Sequence, residues 1–165
     1  MQGVGDTLIV EVHTPAAIAR AEELSDAVKK VMSHLEASGV SRVHPGFDLL
    51  AIRDGAIDRL IELKSSGVDA RVQAMSWNEW KSASHSDLRP KFWLYLAGNL
   101  RADLEHASPY LRAINDPFGS LVGETVEDRQ VRRAVQLRVR EFTTAEHLDL
   151  TVVGTPDDQL AADDG

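Results

Sequence analysis

The chain has 165 residues, with 18 Lys plus Arg against 26 Asp plus Glu, six His and no Cys. The formal charge of −8 argues against a protein that coats nucleic acid non-specifically, and zero Cys excludes a disulfide framework, a thiol nucleophile and a Cys-based zinc site. No run approaches the ~20 apolar residues of a membrane helix. Gly5, Asp6 and Glu11 interrupt any signal-peptide pattern, so the expected compartment is the cytoplasm.

Thr7 to His13 is a short β-rich run ended by Thr14-Pro15, a strand signal. Thr14 is an expected N-cap, with Pro15 at the first helical position. From Ala16 to Ala37 the residues Ile18, Ala21, Leu24, Val28, Val31, Met32 and Leu35 recur every three or four places, which predicts one long amphipathic helix closed by Ser38-Gly39. Val40 to Val43 is read as a short edge strand. Phe47–Ile52 and Ile57–Lys64 are β-type runs around Arg53-Asp54-Gly55-Ala56, a hairpin signal. Ala70–Met75 is a third strand, leading into Ser76-Trp77-Asn78-Glu79. The Ser76/Glu79 spacing is that of a capping box, so a helix is expected to about Ser84. Lys91–Ala97 is apolar enough for a central strand, Ser108–Ile114 is read as a helical turn stopped by Asp116-Pro117, and Val131–Phe142 alternates like a half-exposed strand. Residues 1–154 are expected to form a single domain and 155–165 a disordered acidic tail. The order β, long α, several β, α, β predicts an α/β (α+β) fold with the long N-terminal helix packed on a mixed β-sheet.

The segment that carries chemistry is Gly46-Phe47-Asp48 followed by Ile61-Glu62-Leu63-Lys64. In a strand Ile61 and Leu63 face one side and Glu62 and Lys64 the other, so a carboxylate and an ammonium stand together with apolar neighbours expected to be buried behind them. Asp48 comes back to them if the hairpin forms. A strict two-residue turn at Asp54-Gly55 puts Asp48 opposite Ile61, on the wrong face. A three-residue loop, or a bulge, puts it opposite Glu62. Two converging carboxylates suit a hard cation such as Mg²⁺, and a neighbouring Lys can orient water or stabilise phosphoryl charge, which together describe metal-assisted phosphodiester hydrolysis.

These residues resemble the signature of the PD-(D/E)XK nuclease-like superfamily. More closely, the chain is similar to the C-terminal domain family of the NO VEIN protein, whose members are also attached to helicases and ATPases. The resemblance rests on Gly46-Phe47-Asp48, Ile61-Glu62-Leu63-Lys64, Asn78-Glu79-Trp80 with Ala83, Phe92-Trp93-Leu94-Tyr95 and Ile114-Asn115-Asp116-Pro117, over roughly residues 45–120. It implies a restriction-endonuclease-like core with Asp48 and Glu62 as Mg²⁺ (or Mn²⁺) ligands and Lys64 as catalytic lysine. It also implies action on DNA in restriction, defence or repair, a possible helicase or ATPase partner and a possible homodimer. Superfamily members often add a first-helix carboxylate, for which Glu22, Glu23 and Glu36 are the choices here. The alternative is a catalytically silent module of the same fold that binds a protein or nucleic acid.

Outside that segment, Arg132, Arg138 and Arg140, with Arg129 and Arg133, form a stripe suited to phosphate contacts; an exposed strand face offset by Glu127, Asp128 and Glu141 is the competing reading. Trp77, Trp80 and Trp93 could stack on bases, although aromatics beside apolar strands belong more often to a core. His44 lies four residues before Asp48 and either borders the site or is a loop histidine.

Overall fold

The structure is a computed structural model that describes residues 6–101, 103–121, 125–127, 134–139, 142 and 145–148. Thr14 and Pro15 open the first helix as their types predict: the Thr14 hydroxyl accepts the Ala17 N–H, and Pro15 is the first helical residue. The helical stretch is not continuous, however. It breaks into α1 (Pro15–Leu24) and α2 (Asp26–Ala37) at Ser25, whose backbone is extended and whose hydroxyl caps the Ala27 N–H. The periodicity survives the break, but Leu24, read as part of the apolar face, is 81% exposed. Ser-Asp is a helix-start pair, and here that local signal overrides the repeat.

The strands are β1 (Thr7–Glu11), β2 (Leu49–Arg53), β3 (Ala56–Ser65), β4 (Val72–Ser76), β5 (Phe92–Gly98), β6 (Tyr110–Asn115), β7 (Thr125–Glu127), β8 (Ala134–Arg138) and β9 (Glu146–Leu148). Six of them form a mixed sheet in the order β1-β2-β3-β5-β6-β9, and β4-β8-β7 form a second, antiparallel sheet. The α/β expectation therefore holds, with β5 central and parallel to β3. Val40–Val43 is loop rather than strand. Residues 110–115 are a strand rather than a helical turn, because Tyr110–Asn115 pair along β5, a long-range partner that local pattern does not register. Val131–Phe142 contains β8, with Leu137 and Val139 buried and Arg138 exposed, the expected alternation. Residues 155–165 lie outside the described residues.

Val10, Leu50, Leu60, Phe92, Leu94 and Ile114 of the large sheet form one buried cluster with Ile18, Val28, Met32 and Leu35 of the helices and with Met75 and Leu137 of the small sheet. Helix α3 (Trp77–Ser84) leaves β4 directly, with Ser76 both the last strand residue and the N-cap. A 3₁₀ turn (Arg89–Lys91) precedes β5, and α4 (Pro117–Ser120) follows β6. Asp116 joins these two ends. Its carboxylate takes the Arg89 guanidinium in two hydrogen bonds of 3.0 and 2.7 Å and caps α4 through the Gly119 N–H. The Ile114-Asn115-Asp116-Pro117 motif is thus a structural clasp. Trp80 packs on Phe118 at 5.3 Å, tying α4 to α3. Among the described residues no helix is long and apolar enough to cross a membrane.

Candidate functional site

Register decides whether the acidic residues meet. The hairpin turns tightly at Asp54-Gly55, both with positive φ (53° and 74°), the geometry of a two-residue type I′ turn. Such a turn alone puts Asp48 on the wrong face. The pairing then shifts: Ile52 faces Ile57 but Ala51 faces Arg59, so Asp58 is an extra, bulged residue. Beyond it Leu49 faces Ile61, which sets Asp48 opposite Glu62. Asp48 is also fixed through its backbone, donating to Ile61 O at 2.8 Å and accepting from the Val12 N–H at 2.9 Å, and its Oδ2 accepts the Leu63 N–H at 2.9 Å.

The alternation of β3 is as expected and Ile61 is buried, at 2% exposure, but Glu62 and Leu63 depart from the expectation. Glu62 is buried, at 3% exposure, whereas Leu63 is 42% exposed. Glu62 shares its face with Leu60 and, across the parallel pair, with Leu94, so the carboxylate lies against the core. Lys64 Nζ donates to Glu62 Oε1 at 2.6 Å and to Glu79 Oε2 at 2.8 Å. Glu79 comes from α3, where it completes the capping box: its Oε2 accepts the Ser76 N–H at 2.8 Å and its own N–H donates to Ser76 Oγ. One carboxylate thereby starts a helix and holds the lysine.

An open cleft of about 140 Å³ has Asp48, Glu62 and Glu79 on its walls beside His13, His44 and Asn78, and Lys64 joins it through its ion pairs with Glu62 and Glu79. Burial pushes the Glu62 carboxyl up to about 8; the Lys64 hydrogen bond opposes this, and the charges of Glu79 and Asp48 add to it. Burial alone works against the Lys64 ammonium, but its hydrogen bonds to Glu62 and Glu79 outweigh that and hold its pKa above the ordinary lysine value. Lys64 is therefore an ammonium at neutral pH.

The Glu62 shift has a testable sign. In the unfolded chain Glu62 loses its proton near pH 4.5, in the fold near 8, so across that window the native state holds the extra proton and stability falls as pH rises. Urea midpoints of the protein in EDTA at pH 5, 6.5 and 8 should show Glu62→Gln gaining on wild type at each step. Parallel curves would rule out the buried acid.

Asp48 and Glu79 stand against the Lys64 ammonium, and Glu62 keeps its proton up to about pH 8; a further positive charge in the cleft would displace that proton. Among the described residues no group of three or more His, Asp or Glu side chains is arranged to hold a metal by itself. Asp48 and Glu62, the two strand carboxylates on this wall, do fit a cation such as Mg²⁺ that uses one or two carboxylates and fills its other positions with water and phosphate.

Asp48, Glu62 and Lys64 are thus brought together. Glu22 and Glu36 are not part of the cleft: both bind Arg42, which straps the loop after α2 to the two helices. Glu23 is exposed on α1 and does not line the cleft. The additional carboxylate is Glu79 instead, a residue the sequence marks only as a helix cap and within Asn78-Glu79-Trp80. Arg132 and Arg140 lie outside the described residues. Arg138 pairs with Val72 and borders a hollow with Asp69 and Arg71. Val72 is four residues along β4 from Ser76, about 13 Å at the usual strand rise. Trp80 and Trp93 are packed, the latter beneath the Arg59 guanidinium at 3.9 Å, whereas Trp77 is 57% exposed.

The family model for the C-terminal region of the protein NO VEIN matches residues 17–108. No curated protein and no solved structure matches the chain.

Proposed function

The chain belongs to the NO VEIN C-terminal family, and from that membership and the cleft we propose a Mg²⁺-dependent hydrolase of DNA phosphodiester bonds. The observation that supports the reading is the meeting of Asp48 and Glu62 in one cleft, brought opposite each other by the bulge at Asp58, with Lys64 ion-paired to Glu62. Asp48 and Glu62 would hold the cation. Bound there, it would neutralise the scissile phosphate and acidify the attacking water. Lys64, held as an ammonium by Glu62 and Glu79, is an electrostatic group and not a base: it donates to a phosphoryl oxygen as negative charge develops there. Water adds to phosphorus, the bond to the leaving sugar oxygen breaks, and that oxygen takes up a proton.

A second reading, a catalytically silent module that binds protein or nucleic acid, is favoured by the engagement of Lys64 with both glutamates and by the two-carboxylate donor set. Calorimetric titration with Mn²⁺ and cleavage of plasmid DNA with Mg²⁺ separate the two. The hydrolytic reading expects metal binding that Glu62→Ala removes, and cleavage lost in the same variant. Absence of binding at millimolar metal leaves the silent module.

A further inference from the structure

A second compartment of about 60 Å³ opens beside the carboxylate cleft and shares His44, Pro45 and Asn78 with it. One wall is a single face of α3. Asn78, Lys81, Ser82 and His85 recur at i, i+3, i+4 and i+7, the spacing that aligns side chains along a helix. The other wall is the turn after α2 and the loop to Pro45. The loop is fixed on the helix: Ser82 Oγ donates to Pro45 O at 2.8 Å.

The chemistry of the two compartments is opposite. The first is lined by three carboxylates, the second by none among the described residues. The only charged side chain among its described residues is the Lys81 ammonium, set among hydroxyls, the Asn78 amide and two imidazoles. Lys81 is exposed and its ammonium makes no ion pair among the described residues. His85 Nδ1 accepts the Asp87 N–H, so Nε2 is the ring nitrogen that can donate. His44 supplies a second imidazole at the boundary. An ammonium and two imidazoles with no carboxylate among them suit an anion, and the volume suits a phosphate rather than a base. Trp77 lies one turn before Lys81 on the same helix and is largely exposed, so an aromatic plane stands next to the cation, as in sites that take single strands.

We propose that this compartment seats a backbone phosphate of a single nucleic-acid strand, the neighbour of the phosphate in the carboxylate cleft, with the adjoining base stacked on Trp77. The inference rests on the hydrolytic reading for its direction, since the strand runs from Lys81 past His44 to Glu62. Lys81 and Trp77 act in binding and take no part in the chemistry.

The test is fluorescence anisotropy of a labelled 12-nucleotide single-stranded DNA with the full chain, in EDTA and at several salt concentrations. Lys81→Ala should weaken binding about five- to tenfold and flatten the slope of log affinity against log salt by about 0.7, the value for one phosphate contact on a single strand. Trp77→Ala should weaken it about fivefold or more with the slope unchanged, since stacking is not a counterion effect. Lys30→Ala, an exposed lysine on α2, should change neither. No binding by wild type, an unchanged slope in Lys81→Ala, or an equal loss in Lys30→Ala overturns the proposal, as does inorganic phosphate binding as tightly as the oligonucleotide. Because binding is read without metal, it stands or falls apart from hydrolysis. Cleavage that needs Glu62 but ignores Lys81 sinks this inference alone, and Lys81-dependent binding without cleavage sinks only the hydrolytic reading.

Discussion

Lys64→Met is expected to slow Mg²⁺-dependent plasmid cleavage at least about a hundredfold, the usual loss when one preorganised charge-stabilising donor is removed, while leaving Mn²⁺ affinity undiminished. The two effects separate because Lys64 is not a ligand. Its ammonium lies 2.6 Å from Glu62 and 2.8 Å from Glu79, competing with a cation for the same negative charge. Removing it leaves that charge to the metal and strips the site of its donor to the phosphoryl group. Glu62→Gln, in contrast, should lose metal affinity and cleavage together. A Lys64→Met protein that cuts within threefold of wild type, or that loses its metal, contradicts these roles.

Gly46→Ala is expected to cost about 2–5 kcal/mol, the sum of left-handed backbone strain in an L-residue, about 1–2 kcal/mol, and overpacking, about 1–3 kcal/mol. Gly46 has φ +83°, and a Cβ there would lie 2.5 Å from Asn78 O and 2.7 Å from Ser82 Oγ. The first is helix backbone and cannot swing aside. Relief requires the 44–46 loop to lift from α3, breaking the Ser82–Pro45 hydrogen bond and disturbing the wall between the two compartments. For a chain of this size the melting temperature should fall by about 4–20 °C, and cleavage should fall beyond what the lost stability accounts for. A variant that melts with wild type would show that the loop does not depend on this close approach.

The elements that were legible in the sequence are those whose causes are local. Thr14-Pro15 and Ser76…Glu79 mark helix starts through hydrogen bonds made within three residues, and the structure has both. Ser108–Ile114 reads locally as a helical turn, whereas Tyr110–Asn115 is a strand whose character comes from pairing with β5, a distant partner. The helix over residues 16–37 was read as continuous because Leu24 keeps the apolar spacing although it faces solvent, while the Ser25-Asp26 start signal inside it was passed over.

At the site the sequence named Asp48, Glu62 and Lys64 and placed Ile61 inward, as it is, but it buried Leu63 and exposed Glu62, and at those two positions the fold does the reverse. Sequence-level rules tend to fail at functional positions, and a buried, ion-paired Glu62 beside an exposed Leu63 is such a failure. Glu79 escaped because its role depends on where β4 and α3 leave the main sheet, which no spacing in the chain encodes. The hairpin was legible to within one choice: an odd residue was needed, and only the pairing shows that it sits at Asp58 rather than in the turn.

That odd residue makes the site a matter of parity. Deleting Asp58 alone, or adding one residue elsewhere between Leu49 and Ile61, would turn Asp48 toward the side of the sheet that carries Trp93 and Tyr95, and the buried Leu50 with it. The turn must keep residues that tolerate positive φ at both central positions, and hairpin length can drift between relatives only in even steps. If the hydrolytic proposal holds, a family member with an odd change there, and no compensating one, is expected to show no Mn²⁺ binding by calorimetry.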